Sequence, residues 1–411
     1  MRGWLAVFAV TLGIFALMTS ELLPVGLLTP LGAGLGVSEG AAGLMVTVPG
    51  LVAAVAAPLV TVATGRIDRR VVLIALIGVM GAANLASAFA TSFALVLVAR
   101  FLIGIAVGGF WSLAGGLAVR LVPERHVGRA TAVIFGGVQT ASVLGVPAGT
   151  MIGDHSGWRV AFGAVGVLGL ISLACMVFLL PRLEPRRSIA LRDLPEVLRT
   201  NTGVRLGIAL TFLVITGHFT AYTFVRPNLI AGGIEISHIG ALLLVFGAAG
   251  ICGNFIAGAL IAKRLKQTVL GIASILAAAM ALVTFLDGSL IVTGAVLALW
   301  GLGYGAVPVT LQTWILRAAP ETSEAATSLF VSMFNLSIAL GALLGGLAVD
   351  RIATASAPWI GAALVAVTLI ALRPRAREAA RGCLRTRGES ASESICSLGR
   401  PTTKRAGERA R

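Results

Sequence analysis

Charged residues are scarce in this chain. Asp, Glu, Lys and Arg make up 12% of its 411 residues, whereas hydrophobic residues make up 57%. Soluble globular domains carry about 25% charged residues. With a mean hydropathy of +0.96, the composition is typical of a helical protein that crosses a membrane several times, and it excludes an ordinary soluble domain.

Cysteine is also scarce, and the usual residues of catalytic and metal sites are lacking. The four Cys, at positions 175, 252, 383 and 396, do not have the spacing of a metal or redox motif. The sequence contains no GxxxxGK[ST] loop for ATP. Its apolar stretches hold neither a nucleophile with a base nor a cluster of metal ligands. We therefore expect no enzymatic activity, no metal and no cofactor.

Long apolar stretches are abundant instead. Windows of about 20 apolar residues predict an all-α membrane protein with transmembrane helices as its only large elements. Twelve spans are predicted, near 4–28, 41–63, 71–91, 93–119, 130–153, 160–180, 205–229, 239–262, 268–286, 289–316, 325–349 and 354–372.

The Lys and Arg residues predict the orientation of these spans. If the N-terminus is cytoplasmic, 28 of the 32 fall in cytoplasmic segments, and only Arg159 and Arg351 fall in outer loops. Positive residues concentrate on the cytoplasmic side of membrane proteins. We therefore expect both termini to be cytoplasmic, and the net charge of +15 needs no nucleic-acid partner.

The two halves of the chain are copies of each other. A shift of 197 residues without a gap places residues of one half on identical residues of the other. This predicts two six-helix bundles, 1–180 and 205–372, joined by a cytoplasmic linker, 181–204, and followed by a disordered basic tail, 373–411. A functional site is expected where the bundles meet near the middle of the membrane. The matches include Phe15 with Phe212, Thr19 with Thr216, Pro30 with Pro227, Gly43 with Gly240, Gly50 with Gly247, Gly104 with Gly301, Gly108 with Gly305, and, between RLVPE at 120–124 and RAAPE at 317–321, the Arg, Pro and Glu residues.

Three ionisable residues share one level of the predicted bundle. Glu21 and Arg100 each lie seven residues from the outer end of their spans, roughly 10 Å below the outer face. The repeat places His218 where the first half has Glu21. Burial favours a protonated carboxyl group and a nearby guanidinium favours an ionised one, so helices that move can load and release a proton. We predict that Glu21, Arg100 and His218 couple transport to protons. A static Glu–Arg pair, or a substrate contact by His218, are the alternatives.

Polar and aromatic residues that face the interior predict a cavity for a flat ligand with several hydrogen-bonding edges. Each of them could equally serve as an interhelical hydrogen bond or a packing residue. For Arg226, snorkelling to the membrane interface is the alternative. The predicted cavity residues are Trp111, Gln139, Phe219, Tyr222, Arg226, Asn254, Gln312, Trp314 and Asn335.

Two segments are predicted to control conformation. In span five, small residues allow close helix approach, and Pro147 removes a backbone hydrogen bond, so this helix can bend where it meets the other bundle. In the loop between spans two and three, Asp68 could pair with a basic residue of a neighbouring helix and latch one conformation, although topology signalling explains the basic residues equally well. The residues concerned are Gly145, Pro147, Gly149 and Gly153, and Arg66, Asp68, Arg69 and Arg70.

Over residues 1 to about 375 the chain resembles the major facilitator superfamily, and within it the bacterial twelve-helix drug:proton antiporters. RFLIGIAVGG from Arg100 is similar to the span-four motif, and GVPAGTMIG from Gly145 to the span-five antiporter motif. The loop TGRIDRRVVL departs from the family motif, because Gly65 replaces its Asp and an Asp stands at 68 instead. ELLPVGLLTP from Glu21, FVRP from Phe224 and ALWGLGYGAVPV from Ala298 resemble the subgroup that exports purine ribonucleosides.

The resemblance implies a proton-driven exporter in the bacterial cytoplasmic (inner) membrane that works by alternating access. Its implied partners are a small-molecule substrate, protons and the lipid bilayer, and we expect a monomer. Purine ribonucleosides and their analogues are the substrates it favours, and sugars of the arabinose type or chloramphenicol and other drugs are the alternatives. A membrane sensor that does not transport is the alternative of a different class.

Overall fold

The computed structural model of the protein describes residues 2–64, 66–114, 117–184, 193–285 and 288–372. Within these residues it is helical and contains no β-strand. Residues Met1–Leu369 form one compact unit, and the second unit, Ile370–Arg411, is described only as far as residue 372. The predicted tail, 373–411, and part of the predicted linker, 185–192, therefore lie outside the described residues.

Most of the helices are long, because a backbone in lipid must satisfy its hydrogen bonds within itself. The α-helices are α1 Arg2–Leu35, α2 Glu39–Ala42, α3 Leu44–Ala63, α4 Arg69–Ala88, α5 Phe93–Ala114, α6 Ala118–Leu121, α7 Val127–Thr140, α8 Val146–Ser156, α9 Trp158–Leu179, α10 Asp193–Thr200, α11 Thr202–Tyr222, α12 Val225–Ala231, α13 Ile236–Leu282, α14 Leu290–Gly305, α15 Val307–Ala318, α16 Ser323–Arg351 and α17 Ser356–Ala371.

Ten helical segments among the described residues are long and apolar enough to cross a membrane. They correspond to ten of the twelve predicted spans. The fifth predicted span is interrupted, because a π-helical segment, Ala141–Gly145, separates α7 from α8. The twelfth corresponds to α17, which has 16 residues. Two predicted spans, the eighth and ninth, form α13 with a kink at Arg264.

The internal repeat is visible in how the helices pack. A Cβ atom on Gly104 or Gly108 of α5 would overlap the backbone of Pro49 or Ala53 of α3. In the second half, a Cβ atom on Gly301 or Gly305 of α14 would overlap the backbone of Phe246 or Gly250 of α13. Every residue in the second set lies 197 positions after its counterpart. The predicted duplication is therefore a duplication of helix contacts, and not only of sequence.

The helix connections gather at two ends of the molecule. The linker end holds the start of α1, the α3–α4 loop and the α9–α10–α11 region. At this end Asp68 caps α4 and Asn201 caps α11, each by accepting a backbone N–H bond. The far end holds the loops 36–38, 89–92 and 232–235. Residues up to 184 are here called the N-half, and residues 202–372 the C-half.

Candidate functional site

The N-half contains a buried polar network around α1. Arg100 of α5 is fully buried, and its Nη1 donates to the Ser20 carbonyl oxygen at 2.8 Å. Its guanidinium also lies 4.7 Å from the ring centre of Phe162. Asn84 of α4 donates from Nδ2 to Ser20 Oγ at 2.7 Å. Side chains from two other helices thus hold the backbone and side chain of Ser20, the residue that precedes Glu21.

Glu21 and Arg100 interact electrostatically but do not form the direct ion pair that the sequence suggested. Arg100 instead uses one N–H on the Ser20 carbonyl. Glu21 Oε2 and Arg100 Nε and Nη2 are buried without hydrogen-bond partners. Each buried polar group left unpaired costs about 1–3 kcal/mol. A conformational change that gives these atoms of Glu21 and Arg100 hydrogen-bond partners would therefore be favourable.

The C-half holds an aromatic cluster around the equivalent position on α11. His218 is fully buried, and Trp300 Nε1 donates to its Nδ1 at 3.1 Å. The Tyr304 ring lies parallel to the imidazole, with ring centres 3.7 Å apart. Tyr222 stacks on the imidazole at 5.0 Å, and Phe246 at 6.4 Å. The chain has only two Tyr, and both belong to this cluster.

The acidic and aromatic sites meet between the halves. Glu21 of the N-half interacts electrostatically with Tyr304 of the C-half. Buried atoms without hydrogen-bond partners occur at equivalent positions on both sides: Thr19 Oγ1 and Glu21 Oε2 on α1, and Thr216 Oγ1 and His218 Nε2 on α11. We call Glu21 and His218, with Arg100 and Tyr304, the central site.

A buried ion pair joins the halves at the far end. Arg226 of α12 is 2% exposed, and its Nη2 contacts Asp154 Oδ1 of α8 at 2.7 Å. Its Nη1 donates to the Gly26 carbonyl of α1, also at 2.7 Å. Arg226 therefore does not snorkel to the interface. Its guanidinium binds the other half and holds the far end together, whereas its role in the substrate cavity stays a prediction.

A second, more exposed contact joins the halves at the same end. Ser38 Oγ donates to Asp350 Oδ2 at 2.6 Å, and the Gly40 N–H donates to Asp350 Oδ1 at 3.0 Å. Together with the two hydrogen bonds made by Arg226, these bonds connect the N-half to the C-half. The far end is therefore closed by polar contacts.

The linker end is different. A cavity of about 360 Å³ lies there between α3 of the N-half and α11 and α16 of the C-half, beside the linker helix α10. Its lining is apolar except for Ser332, and it contains none of the predicted cavity residues. A recess between helices of the two halves therefore lies at the linker end, whereas the far end is closed by the polar contacts described above.

The order of helices, the duplicated packing and the central site can be compared with known proteins. The sequence model of the Major Facilitator Superfamily matches residues 4–330. The chain belongs to the major facilitator superfamily. It is therefore a multi-pass membrane protein of a transporter superfamily, and a small-molecule substrate is the partner expected of it.

Two curated proteins are similar to this superfamily member along most of its length. It is 35% identical to the purine ribonucleoside efflux pump NepI of Escherichia coli K12 over 371 residues, 90% of this chain and 93% of that protein. It is 36% identical to the transcription regulatory protein OpdE of Pseudomonas aeruginosa over 381 residues, 91% of this chain and 95% of that protein.

Solved structures give the same fold. A single-substitution mutant of the nucleoside transporter NupG superposes with a TM-score of 0.74 and 10% sequence identity, and the match covers 89% of this chain and 98% of that one. At this identity the likeness concerns the fold alone. The predicted resemblance to the superfamily is therefore confirmed by both sequence and fold.

The span-five glycines of this superfamily member pack within their own half. Cβ atoms on Gly145, Gly149 and Gly153 would overlap the side chains of Thr19, Leu23 and Leu27 of α1. The contact with the other half comes from the π-helical segment, where Ser142 and Val143 lie against Gly247 of α13, and from Pro147 and Met151 against Gly240. The irregular turn thus coincides with the place where this helix meets the C-half.

Among the described residues, the Asp68 carboxylate pairs with no basic side chain in this conformation, and the latch stays a prediction. Its Oδ1 accepts N–H bonds from Arg70 and, at 2.9 Å, from Leu183. Arg69 Nη1 donates to Thr64, and Arg70 Nη2 donates to the Val177 carbonyl, while Arg66 is exposed. The loop is therefore tied to the segment that follows α9 within the N-half.

The other predicted cavity residues are spread over two levels. Phe219 and Tyr222 lie in the aromatic cluster, and buried Asn335 donates to the Val331 carbonyl of its own helix. Trp111, Asn254, Gln312 and Trp314 are half-buried toward the linker end, and Trp314 Nε1 donates to the Gly203 carbonyl. Gln139 belongs to α7, but its side chain lies outside the described residues.

Sequence reasoning missed several residues of these sites. Trp300 and Tyr304 lie one helical turn apart on α14, a spacing that could have assigned both to one face. Asp154 was missed because it falls just beyond the predicted end of span five, although α8 continues to Ser156. Asn84 and Asp350 carry no local signal, since their partners Ser20 and Ser38 are distant in sequence.

Proposed function

We propose that this superfamily member is a proton-coupled exporter of purine ribonucleosides and their analogues in a bacterial inner membrane. It has twelve membrane spans in two six-helix bundles and cytoplasmic termini, and it works as a monomer. The linker end faces the cytoplasm, so the structure corresponds to the state that receives substrate from inside the cell.

One observation supports proton coupling above all: Glu21 is a buried carboxyl group beside, but not bonded to, a buried guanidinium at the place where the halves meet. An acid in the membrane interior is costly when ionised and unpaired. Rocking of the halves changes the access of Glu21 to water and its distance from Tyr304 of the C-half. The carboxyl group then binds a proton from outside and releases it inside, in exchange for substrate.

The substrate class rests on the relative that exports purine ribonucleosides and on the character of the C-half site. Stacked rings and buried hydrogen-bonding atoms suit a flat base with polar edges. Sugars and chloramphenicol are the competing substrates, but an arabinose-like ligand lacks the flat aromatic face that a purine base would stack on Tyr304 and Tyr222.

The test is uptake into inverted membrane vesicles. Radiolabelled inosine, arabinose and chloramphenicol are compared with and without an imposed pH gradient, acidic inside. We expect inosine to accumulate only with the gradient. Inosine flux that ignores the gradient would contradict antiport, and accumulation of arabinose or chloramphenicol alone would move the protein to another substrate class.

A regulatory role is the second candidate, because the chain is 36% identical to a protein named as a transcription regulatory protein. The same vesicles separate the two. A sensor that does not transport would bind ligand without accumulating any of the three compounds.

A further inference from the structure

His218 is held by a hydrogen bond from Trp300 and by stacked rings. A group that only carries a proton does not need these contacts. An indole N–H can donate a hydrogen bond but cannot accept one. Because Trp300 Nε1 donates to His218 Nδ1, Nδ1 must present its lone pair. The proton of the neutral imidazole is then on Nε2. A doubly protonated ring would place an N–H against the Trp300 N–H, and the hydrogen bond would be lost.

The rings around His218 hold this arrangement in place. Tyr304 covers one face at 3.7 Å with an interplanar angle of 5°, and Tyr222 stacks at 5.0 Å. Phe219 and Trp300 meet the imidazole edge-on. The titratable groups near it, among the described residues of the helices packed around it, are the hydroxyls of Tyr222 and Tyr304, with Glu21 beyond Tyr304. Within that described part of the chain, no carboxylate contacts His218 to stabilise an imidazolium.

The Nε2 atom is the unused part of the ring. It is buried and has no hydrogen-bond partner. A buried donor left unpaired is costly, and Glu21, at the equivalent position of α1, also has a buried oxygen without a partner. An acceptor atom of a ligand at the central site would pair with the Nε2–H of His218.

We infer that His218 is a specificity-determining hydrogen-bond donor, fixed as the Nε2–H tautomer by Trp300, and that it contacts an acceptor atom of the substrate base. This inference rests on the proposed transport of a purine ribonucleoside. It assigns the proton-carrying role to Glu21 alone and makes Trp300 a positioning residue. Tyr304 is half-buried and lies one helical turn closer to the linker end than Trp300. It covers the imidazole face on the side from which, in the proposed function, substrate arrives.

The tautomer is tested by ¹⁵N NMR of protein labelled at histidine. The chain has four His, so the His218 signal is the one absent from His218→Gln. We expect an unprotonated Nδ1 and a protonated Nε2 from about pH 5.5 to 8, because charging the ring would break the bond from Trp300.

In Trp300→Phe the hydrogen bond that fixes the tautomer is removed, and the His218 signal should become a mixture of tautomers. Trp359→Phe is the matched control, because Trp359 is 48% exposed on α17 and contacts Phe285 rather than His218. A doubly protonated His218, or no change in Trp300→Phe, would overturn the tautomer assignment.

The contact is tested by binding of inosine and of analogues that each lack one acceptor: 7-deazainosine, 3-deazainosine and purine riboside, which lacks the 6-oxo group. His218→Leu should weaken inosine binding by about tenfold or more, whereas His218→Gln, which keeps an N–H donor, should retain most of it. One of the three analogues should bind equally well to the wild type and to His218→Leu, because that analogue lacks the acceptor atom that His218 contacts.

The possible failures are distinguishable. If wild-type protein binds inosine but His218→Leu weakens inosine and all three analogues equally, or weakens none, the inferred contact is wrong while the proposed function stands. If wild-type protein binds neither inosine nor any analogue, the proposed substrate is wrong, and the contact inferred from it falls too.

Discussion

The two halves of the molecule have the same helix packing but opposite chemistry at equivalent positions. In the N-half, Glu21 lies with Arg100, and the position equivalent to Arg100 in the C-half is Leu297. In the C-half, His218 lies among Trp300 and Tyr304, whose N-half equivalents are Ile103 and Val107. One half therefore carries charge where the other carries aromatic rings. In the proposed function, this difference becomes a division of labour, with the proton handled by the N-half and the base of the substrate by the C-half.

The largest effect is expected from Glu21→Gln, which removes the charge of the N-half site. The variant stays in the neutral state, so gradient-driven inosine accumulation should fall to the level of empty vesicles. Exchange of labelled for unlabelled inosine without a gradient should continue. Glu235→Gln, at a residue that is 80% exposed, is the control, and full accumulation by Glu21→Gln would remove the N-half from the proton pathway.

Arg100→Leu gives the N-half the residue that the C-half has at this position. Without the guanidinium, Glu21 has no positive charge to favour its ionised form, so proton release should become inefficient. We expect coupled accumulation to drop by roughly tenfold or more with exchange preserved. Arg205→Leu, at an exposed residue of the linker end, is the matched control. Equal loss of exchange and accumulation would mean that Arg100 serves folding rather than coupling.

Tyr304→Val gives the C-half the residue that the N-half has. Stacking of a base on an aromatic ring contributes about 1–3 kcal/mol, so inosine affinity should fall by roughly tenfold. The ratio of protons to inosine transported should stay unchanged, because Glu21 remains. Both quantities can be measured in the same proteoliposomes, and a changed ratio with unchanged affinity would reverse the assignment of the two halves.

The far-end contacts allow the same comparison between buried and exposed charge. Removing one partner of a buried ion pair costs about 3–5 kcal/mol, so Asp154→Asn should open the far end. Hydrogen exchange of the segments 36–44 and 222–236, followed by mass spectrometry, should become faster. Asp350→Asn weakens a more exposed contact, the hydrogen bonds from the Ser38 hydroxyl and the Gly40 N–H, for which about 1 kcal/mol is expected. Equal effects of the two substitutions would show that burial does not decide which contact closes the far end.

The smallest effect is expected from Ser20→Ala. It leaves the carbonyl that Arg100 contacts and removes only the hydroxyl that Asn84 contacts. Loss of this hydrogen bond should lower the free energy of unfolding by about 1 kcal/mol and leave coupling intact, as a thermal melt and a transport assay on the same preparation would show. A loss of coupling comparable to that of Arg100→Leu would mean that Asn84 positions Glu21.

The sequence predicted the fold well because its physics is local. Apolar windows and Lys/Arg counts report on each span separately, and the offset of 197 residues matched Gly104 with Gly301, which the structure shows packed against equivalent helices. The same reasoning gave ten of the spans that the structure shows. It could not foresee the break at Ala141–Gly145, because no single residue there marks a π-helix.

The site was predicted only in outline. Glu21, Arg100 and His218 stood out because ionisable residues are rare in apolar sequence. Their partners depend on side-chain directions between helices, so the sequence could not show that Arg100 contacts the Ser20 carbonyl instead of Glu21, or that Trp300 holds His218. For Arg226 the distance to a helix end suggested snorkelling, whereas a partner 72 residues away in the other half keeps it buried.

The central claim is that Glu21 exchanges its proton for substrate. It is tested most directly by adding inosine to detergent-solubilised protein in weakly buffered solution near neutral pH with a pH-sensitive dye. The wild-type protein should release protons when inosine binds, and Glu21→Gln, which still binds inosine, should release none. Equal proton release from Glu21→Gln and the wild type would contradict the account.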